Sequence, residues 1–486
     1  MKKIRDLIEC DYDIDIAGVS DDSRYIKKNF LFVATKGFNV DHYDYIDDAI
    51  EKGCSFIIAD RDINRDFPHV IVDKNISDVY REVCKKFYDV DFDKLKIIGI
   101  TGTDGKTTTT TIVKNIIKDC AYMGTNGLEI IDKEYHTSNT TPIISELYKD
   151  LKLIIDNKCS NLAMEVSSEA LLHDRVKDFR FEIVGITNIT GDHLNIHKTF
   201  ENYVDCKKKL ISLVKENGYV VLNGDDPILH EIEGNNIIKF GFNGDNDYYI
   251  KGVDYKGKET IINVQYKDEM FTINSPLKAK YNVYNVVMAF IICRLFGLDD
   301  NTIQKRIKEL APIKGRTEAL YFGQDYDIIL DYAHTINGIK NIISSFRDYD
   351  NVITVTGSAG GREHEKRSVI GKFVIENSDT AIFTMDDPRY EDVNEIIDQM
   401  VGDSKDYIRI PDREEAIRYA LDIADKGSVV LILGKGRDEY MAIEDKKPYY
   451  CDYDVIERYF KEKWWYHFFF FLDIARIKNY NRIRLG

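Results

Sequence analysis

Gly102, Gly105, Lys106 and Thr107 fall close together in the stretch IIGITGTDGKTTTTT at positions 97–111. Residue types in this order can hold a polyphosphate. Glycines let backbone N–H groups close around phosphate oxygens, and the Lys106 ammonium supplies positive charge. The Thr107 hydroxyl reaches Mg²⁺, and a helix that opens here turns its positive end toward the anion. Thr103 and Thr108 belong to the same loop. The general spacing GxxxxGK[ST] is not met, because its first glycine would fall on Ile100; the shorter form T-G-T-x-G-K-T stands instead. The stretch points to a nucleoside triphosphate site; the competing reading is an ordinary glycine-rich strand–helix turn.

Further along, Glu165 ends the apolar run NLAMEV, where a carboxylate can bind Mg²⁺ directly or through water. Asp192, His193 and His197 lie in TNITGDHLNIH, with His193 either a metal ligand or a hydrogen-bond anchor. Lys207, Lys208 and Lys209 follow at helical spacing, which by itself reads as a solvated face. Paired charges then recur: Arg316 in KGRTE, Asp331 and His334 in DYAHT, Arg362 and Glu363 in GGREHEKR, and Asp386, Asp387 and Arg389 around Pro388 in MDDPRYED. Lys435, Arg437, Asp438 and Glu439 close the series in GKGRDEY. Singly these read as surface ion pairs. Gathered at strand ends, they suit a ligand that carries both carboxylates and an ammonium group. A phosphate loop, metal ligands and a zwitterion site together indicate ATP-driven joining of an amine to a carboxylate through an acyl phosphate, with in-line geometry and cationic charge supplying most of the rate.

The elements that must position these residues alternate between strand-like and helical patterns, so the fold class expected is α/β with parallel sheets. FLFVAT (30–35), SFIIAD (55–60) and HVIVD (69–73) form a first series, and the polar segment 88–94 reads as a linker. A second series comprises IIGITG (97–102), NLAMEVSS (161–168), IVGITNI (183–189) and GYVVLN (218–223). Hairpins are expected over 245–273 and a helix over 281–296. A third series has DIILDYA (327–333), NVITVTG (351–357), TAIFTMDD (380–387) and SVVLILGKG (428–436). Open parallel sheets bind ligands beyond the carboxyl ends of their strands. EVSSE, TNITGDH, DYAHT, TGSAGGRE, MDDPR and GKGRDEY are therefore all expected to face one cleft.

With 486 residues the chain has room for about three domains. The expected division is an N-terminal substrate domain (1–92), a central P-loop domain (93–311) and a C-terminal Rossmann-like domain (312–460), followed by a tail (461–486). A formal charge of -16 leaves no overall basic field for nucleic acid. The eight cysteines are scattered without a CxxC pair, as expected in a reducing cytosol. No segment has the length and apolarity of a signal peptide or a membrane span, so a cytoplasmic monomer is expected. The tail contains WWYHFFFFL and then Arg476, Lys478, Arg482 and Arg484. It reads as a packed terminal helix or an extension, with an interfacial lipid contact as the alternative.

The combination of DSR (22–24), GTDGKTT, TTP (140–142), EVSSEAL with Arg175, TNITGDHL, YNVYN, GRTE, DYAHT, DDPR and GKG resembles the Mur ligase family over about residues 15–460. The order of motifs is similar to the MurE-type members, which add the third residue of the stem peptide to UDP-N-acetylmuramoyl-L-alanyl-D-glutamate. The resemblance implies that Ser23 and Arg24, with Gly37, serve the uridine end. Asn139, Thr140, Thr141, Ser167, His173 and Arg175 would hold the diphosphate and sugar–peptide portion. Lys106 and Thr107 would bind ATP phosphates and Mg²⁺, and Glu165 and His193 a second Mg²⁺. Lys207 matches a lysine carbamylated in the family, which would turn a cation into a carboxylate-like metal ligand. Asn282 and Asn285 would lie near adenine, and Arg316, Asp331 and His334 would reach ATP after domain closure.

Arg362, Asp386, Asp387, Arg389, Gly434 and Asp438 would bind the incoming amino acid. Arg389 favours meso-diaminopimelate, whose distal carboxylate it can pair with; L-lysine or another diamino acid is the alternative. Five positions depart from the family pattern: Asp387 replaces asparagine, Arg437-Asp438 replaces His-Glu, Asp104 replaces asparagine and His173 replaces glutamine. The changes at 387 and 437–438 are expected to put unusual charge at the amino-acid pocket. More distant readings are another Mur-like amide ligase, a non-catalytic homologue, or a P-loop switch or motor; no guanine-recognition motif supports the last.

Overall fold

The fold follows from apolar runs that must be covered on both faces, as parallel strands require. In the computed structural model, which describes residues 1–36, 41–191, 194–256, 259–361 and 364–463, these runs form parallel sheets flanked by helices. The chain divides into two compact units, one of 1–253, 262–274 and 284–308, the other of 254–261, 275–283 and the chain from 309 onward. No helix among the described residues is long and apolar enough to cross a membrane.

Within the first unit, Gly18–Ser20, Phe30–Ala34, Cys54–Ala59 and His69–Ile71 make a four-stranded parallel sheet in sequence order. The following helix, Ile76–Tyr88, is capped by Asn75 and ends where Asp89 turns left-handed at φ 52°. The segment expected to be a linker is instead packed down. Its polar residues face water, but the Phe92 ring lies 5.1 Å from Phe179 and 6.0 Å from Tyr148.

The larger sheet has Lys96–Thr101 at its centre, between Asn161–Glu165 and Phe181–Ile186, all parallel. Register places Glu165 opposite Ile100, and Ile186 opposite Thr101. Three neighbouring strands thus finish level with one another, where the phosphate loop begins. Cys120–Gly124 extends this sheet and is followed by an antiparallel hairpin, Gly127–Ile130 with Lys133–Tyr135. The pattern reading did not anticipate those strands, nor Ile237–Gly241. The region expected to form hairpins supplies three successive neighbours: Tyr248–Lys256, Glu259–Tyr266 and Glu269–Ser275. The helix Lys280–Leu295 follows.

In the second unit the sheet order is Glu318–Leu320, Asp327–Asp331, Ser428–Leu433, Asn351–Thr356, Thr380–Phe383 and Ile408–Arg409, parallel after the first antiparallel pair. Ile339, Ile343, Val374 and Ile397 cover one face; Ala416, Ile417, Leu421 and Ile456 cover the other. The strand ends therefore belong to two sheets rather than one. EVSSE and TNITG end strands of the first unit, whereas DYAHT, TGSAG, MDDPR and GKGRDEY end strands of the second. This division follows the second and third strand series read from the sequence.

Gly37, Asp192, His193, Arg362, Glu363 and the aromatic tail (464–486) lie outside the described residues.

Candidate functional site

The phosphate loop is built as its residue types require. Gly102 has φ +148°, and a β-carbon there would lie 1.8 Å from Thr187 Oγ1. Gly105 has φ +83° and caps the helix Lys106–Ile116; a β-carbon there would lie 2.4 Å from Asn285 Oδ1. Left-handed backbone and close approach together demand glycine. The next strand's end pins the loop: Thr103 N–H donates to Asn188 O at 2.9 Å, Asp104 N–H to Asn188 Oδ1 at 3.0 Å and Thr187 Oγ1 to Asp104 O at 2.5 Å. Thr103 Oγ1 donates to Thr190 O at 3.0 Å. Lys106 Nζ folds back onto Gly102 O and Thr103 O at 3.0 and 2.9 Å. The helix N-terminus, its glycines and Lys106 form a cradle suited to phosphate oxygens.

Glu165 stands beside this cradle and is fully buried. Thr107 Oγ1 donates to its Oε2 at 3.0 Å, Tyr122 OH to its Oε1 at 2.5 Å, and Thr125 N–H to its Oε1 at 2.9 Å. Gly124 makes room for the carboxylate, since a β-carbon there would lie 2.2 Å from Oε1. A hydroxyl and a carboxylate at a phosphate loop are the oxygen donors a hard divalent cation prefers, the remaining ligands coming from phosphate and water. Among the described residues, no cluster of three or more His, Cys, Asp or Glu side chains could hold a metal unaided. Tyr122 and Thr125 were not foreseen from the sequence; the GTNG turn at 124–127 was the available signal.

Lys207 lies on the helix Phe200–Lys208 with 1% exposure. Its Nζ donates to Gly102 O at 2.7 Å and sits 4.7 Å from the Tyr203 ring centroid. The lysine triplet is thus not uniformly a solvated face, because Lys207 points into the loop. Asn285 Oδ1 accepts from Thr109 Oγ1 at 3.2 Å, whereas Asn282 Nδ2 bonds Lys278 O at 2.8 Å.

The residues assigned to the acyl substrate meet at the same strand end. Thr141 Oγ1 donates to Glu165 O at 2.8 Å and accepts Ser167 N–H at 2.9 Å; Arg175 Nη1 donates to Thr141 O at 2.8 Å. Thr140 Oγ1 is 3.2 Å from Thr125 Oγ1, and Asn139 is exposed just before it. His173 closes the short helix Ser168–Leu172. Burial lowers the His173 pKa, with the Arg175 charge acting the same way. Ser23 and Arg24 lie further off in sequence, in a single turn capped by Asp22, where Arg24 Nη2 reaches Asp22 Oδ2 at 2.6 Å.

The second unit holds its own pocket at the strand ends, lined by Tyr332, His334, Gly357, Ser358, Ala359, Lys366, Asp386, Asp387, Gly434 and Asp438. Gly434 has φ +115°, and a β-carbon there would lie 2.4 Å from Asp386 Oδ2. Asp331 accepts Ala333 N–H at 2.7 Å and Thr317 N–H at 2.5 Å. Arg316 lies over the Tyr332 ring at 4.8 Å, and His334 Nδ1 is 2.9 Å from Tyr332 O. Burial raises the carboxyl pKa values of Asp331, Asp386 and Asp438.

One expectation about this pocket changes. Arg437 puts no charge into it, because its guanidinium forms a two-pronged pair with the buried Glu318 at 2.9 and 2.5 Å and stacks 3.5 Å from the Tyr453 ring centroid. The Arg389 backbone sits at φ 54°, and its N–H donates to Ala442 O at 2.9 Å.

Three family models match consecutive stretches of the chain: "Mur ligase family, catalytic domain" over 15–88, "Mur ligase middle domain" over 100–293 and "Mur ligase, glutamate ligase domain" over 315–436. A relative from Fusobacterium nucleatum named UDP-N-acetylmuramoyl-L-alanyl-D-glutamate--2,6-diaminopimelate ligase is 36% identical, covering 91% of this chain and 93% of the relative. One of the same name from Clostridium tetani is 35% identical, covering 95% and 98%. Among solved structures, a ligase of that name aligns with TM-score 0.62 at 23% identity over 95% of this chain and 99% of the other. The MurF ligase of Thermotoga maritima in complex with ADP aligns with TM-score 0.61 at 21% identity, covering 86% and 93%.

Proposed function

This chain belongs to the Mur ligase family, and on that footing we propose that it joins a diamino acid to UDP-N-acetylmuramoyl-L-alanyl-D-glutamate at the expense of ATP, in peptidoglycan synthesis. Meso-diaminopimelate is the amine we assign, in keeping with the names of the relatives. The observation that carries the reading is the shared strand end. The Thr107–Glu165 bond of the phosphate loop and the Thr141–Ser167–Arg175 network of the acyl substrate meet at one residue, Glu165.

The chemistry follows from that placement. The loop amides and Lys106 orient the triphosphate; Ser167, Arg175 and the threonines at 140–141 bring the substrate carboxylate to the γ-phosphorus. Phosphoryl transfer gives an acyl phosphate, the amine attacks its carbonyl carbon, and phosphate leaves. Little covalent work is asked of the protein beyond positioning and charge stabilisation. Mg²⁺, when bound, would neutralise phosphate charge; Thr107 and Glu165 would hold it, with His193 and a carbamylated Lys207 as further ligands. Asn282, Asn285, Arg316, Asp331 and His334 are the further residues we assign to the nucleotide.

The tripartite division at 92 and 311 is proposed on the strength of the three consecutive family matches. L-lysine is the second reading for the amine. The carboxylates of Asp386, Asp387 and Asp438 around one pocket suit the ammonium groups that both amines carry, and they oppose the second carboxylate that only diaminopimelate carries. The test is phosphate release from ATP with the UDP-linked dipeptide and each amine in turn. Release that requires the dipeptide and prefers diaminopimelate supports the assignment; release preferring L-lysine replaces it.

A further inference from the structure

Lys435 is a buried cation behind the second unit's pocket, paired with two of the carboxylates that line it, and the proposed function gives it no role. It follows Gly434 at the end of the strand Ser428–Leu433, and its side chain is 1% exposed. Its Nζ lies 2.8 Å from Asp387 Oδ1 and 3.7 Å from Asp438 Oδ2. A lysine so buried is costly unless it is paired. Asp387 Oδ1 also accepts Ala442 N–H at 2.9 Å, so one carboxylate oxygen is held by both an ammonium and an amide. Asp387 has φ 43°, a left-handed conformation that aspartate and asparagine tolerate better than most residues. Arg413 cannot share the task, being bound to Asp452 at 2.7 Å with both side chains fully buried.

We infer that Lys435 sets the charge of the amino-acid pocket by cancelling Asp387. Held in this way, Asp387 acts toward a ligand as a neutral acceptor, as an asparagine would; Asp438 lies farther from the same ammonium and, with Asp386, lines the pocket to receive a ligand's ammonium group. Lys435 is a positioning residue and a determinant of specificity. Without it, Asp387 becomes an uncompensated carboxylate that repels the distal carboxylate of diaminopimelate. L-Lysine has no such group and escapes the penalty. The inference rests on the reading of this pocket as the diamino-acid site.

The test is a double-mutant cycle of the full-length enzyme: wild type, Lys435→Met, Asp387→Asn and the double variant. KM and kcat are measured for diaminopimelate and L-lysine at saturating ATP and UDP-linked dipeptide. Lys435→Met is expected to raise KM for diaminopimelate by about tenfold or more, the scale of a charged hydrogen bond, with KM for L-lysine and ATP unchanged. Adding Asp387→Asn should restore most of the loss. A double variant no better than Lys435→Met, or a fall in kcat shared by both amines, overturns the inference. If Lys435→Met does not fold, Lys435→Gln replaces it in the same cycle. A wild type that uses neither amine contradicts the proposed function instead. The inference is then decided by the melting temperatures of the four proteins: a double variant melting above Lys435→Met supports the pairing, and additive losses refute it.

Discussion

Thr107 Oγ1 donates to Glu165 Oε2 at 3.0 Å, joining the first turn of the phosphate-loop helix to the end of a strand 58 residues later. Thr107 and Glu165 are the oxygen donors proposed to hold a magnesium ion at the phosphate loop. Tyr122 and Thr125 hold the same carboxylate from a third strand. Glu165→Gln keeps the shape and removes the charge. It is expected to lower kcat by about 10–100-fold, the usual cost of disturbing a metal ligand's surroundings, and to raise the magnesium concentration needed for half-maximal rate. Titrating magnesium against rate for the two proteins checks this; an unchanged magnesium requirement would remove Glu165 from the metal site.

Lys207 offers a second test of the same region. Its amine is buried against Gly102 O and the Tyr203 ring. If this lysine works as a carbamate, Lys207→Ala should lose at least about 100-fold in kcat, on the scale of losing a positioned charge at a reacting phosphate. Short carboxylic acids added to the assay should recover part of it. Intact-protein mass under bicarbonate, with and without the substitution, gives an independent reading. Full activity of Lys207→Ala would dispose of the role.

Arg389 is the residue proposed to separate the two amines. It stands directly after Pro388 in the Asp386–Asp387 turn, with its backbone tied to Ala442. Arg389→Ala is expected to reduce kcat/KM for diaminopimelate by about 10–100-fold, the range of one lost charge-assisted bond, while L-lysine use changes little. Parallel assays with both amines decide it, equal losses arguing that Arg389 shapes the turn and does not bind the distal carboxylate.

Asp150 makes stability depend on pH. It is 7% exposed on the helix Ile144–Asp156, and its Oδ2 has no hydrogen-bond partner among the described residues. Burial pushes its carboxyl pKa up to about 7, with the Glu146 charge adding to the shift. A carboxyl whose folded pKa is raised contributes stability that is fully present below its unfolded value, near 4, and is lost as pH rises through about 7. The loss is on the order of 1–4 kcal/mol. Asp150→Asn should therefore melt higher than wild type at pH 8 and no higher at pH 4. Equal melting differences at the two pH values would contradict this account of Asp150.

The parts of the site legible in the sequence are those made by local geometry. Gly102, Gly105, Lys106 and Thr107 form one strand–loop–helix turn, and their spacing alone dictates it. Glu165 could be placed at a strand end from the run before it. What the sequence withheld depends on long-range pairing. Tyr122 and Thr125 reach Glu165 across 43 and 40 positions, from a strand that carries no obvious periodicity. Arg437 looked like a pocket charge until Glu318, 119 positions earlier, took both prongs of its guanidinium.

The central claim is that one enzyme couples ATP cleavage to amide formation on the UDP-linked dipeptide. The most direct measurement follows ADP, phosphate and the UDP-linked product together, by mass and by stoichiometry, with diaminopimelate supplied or withheld. The account predicts one ADP and one phosphate for each new amide, with turnover dependent on dipeptide and amine together. ATP hydrolysis indifferent to both, or no amide with any diamino acid, would contradict it.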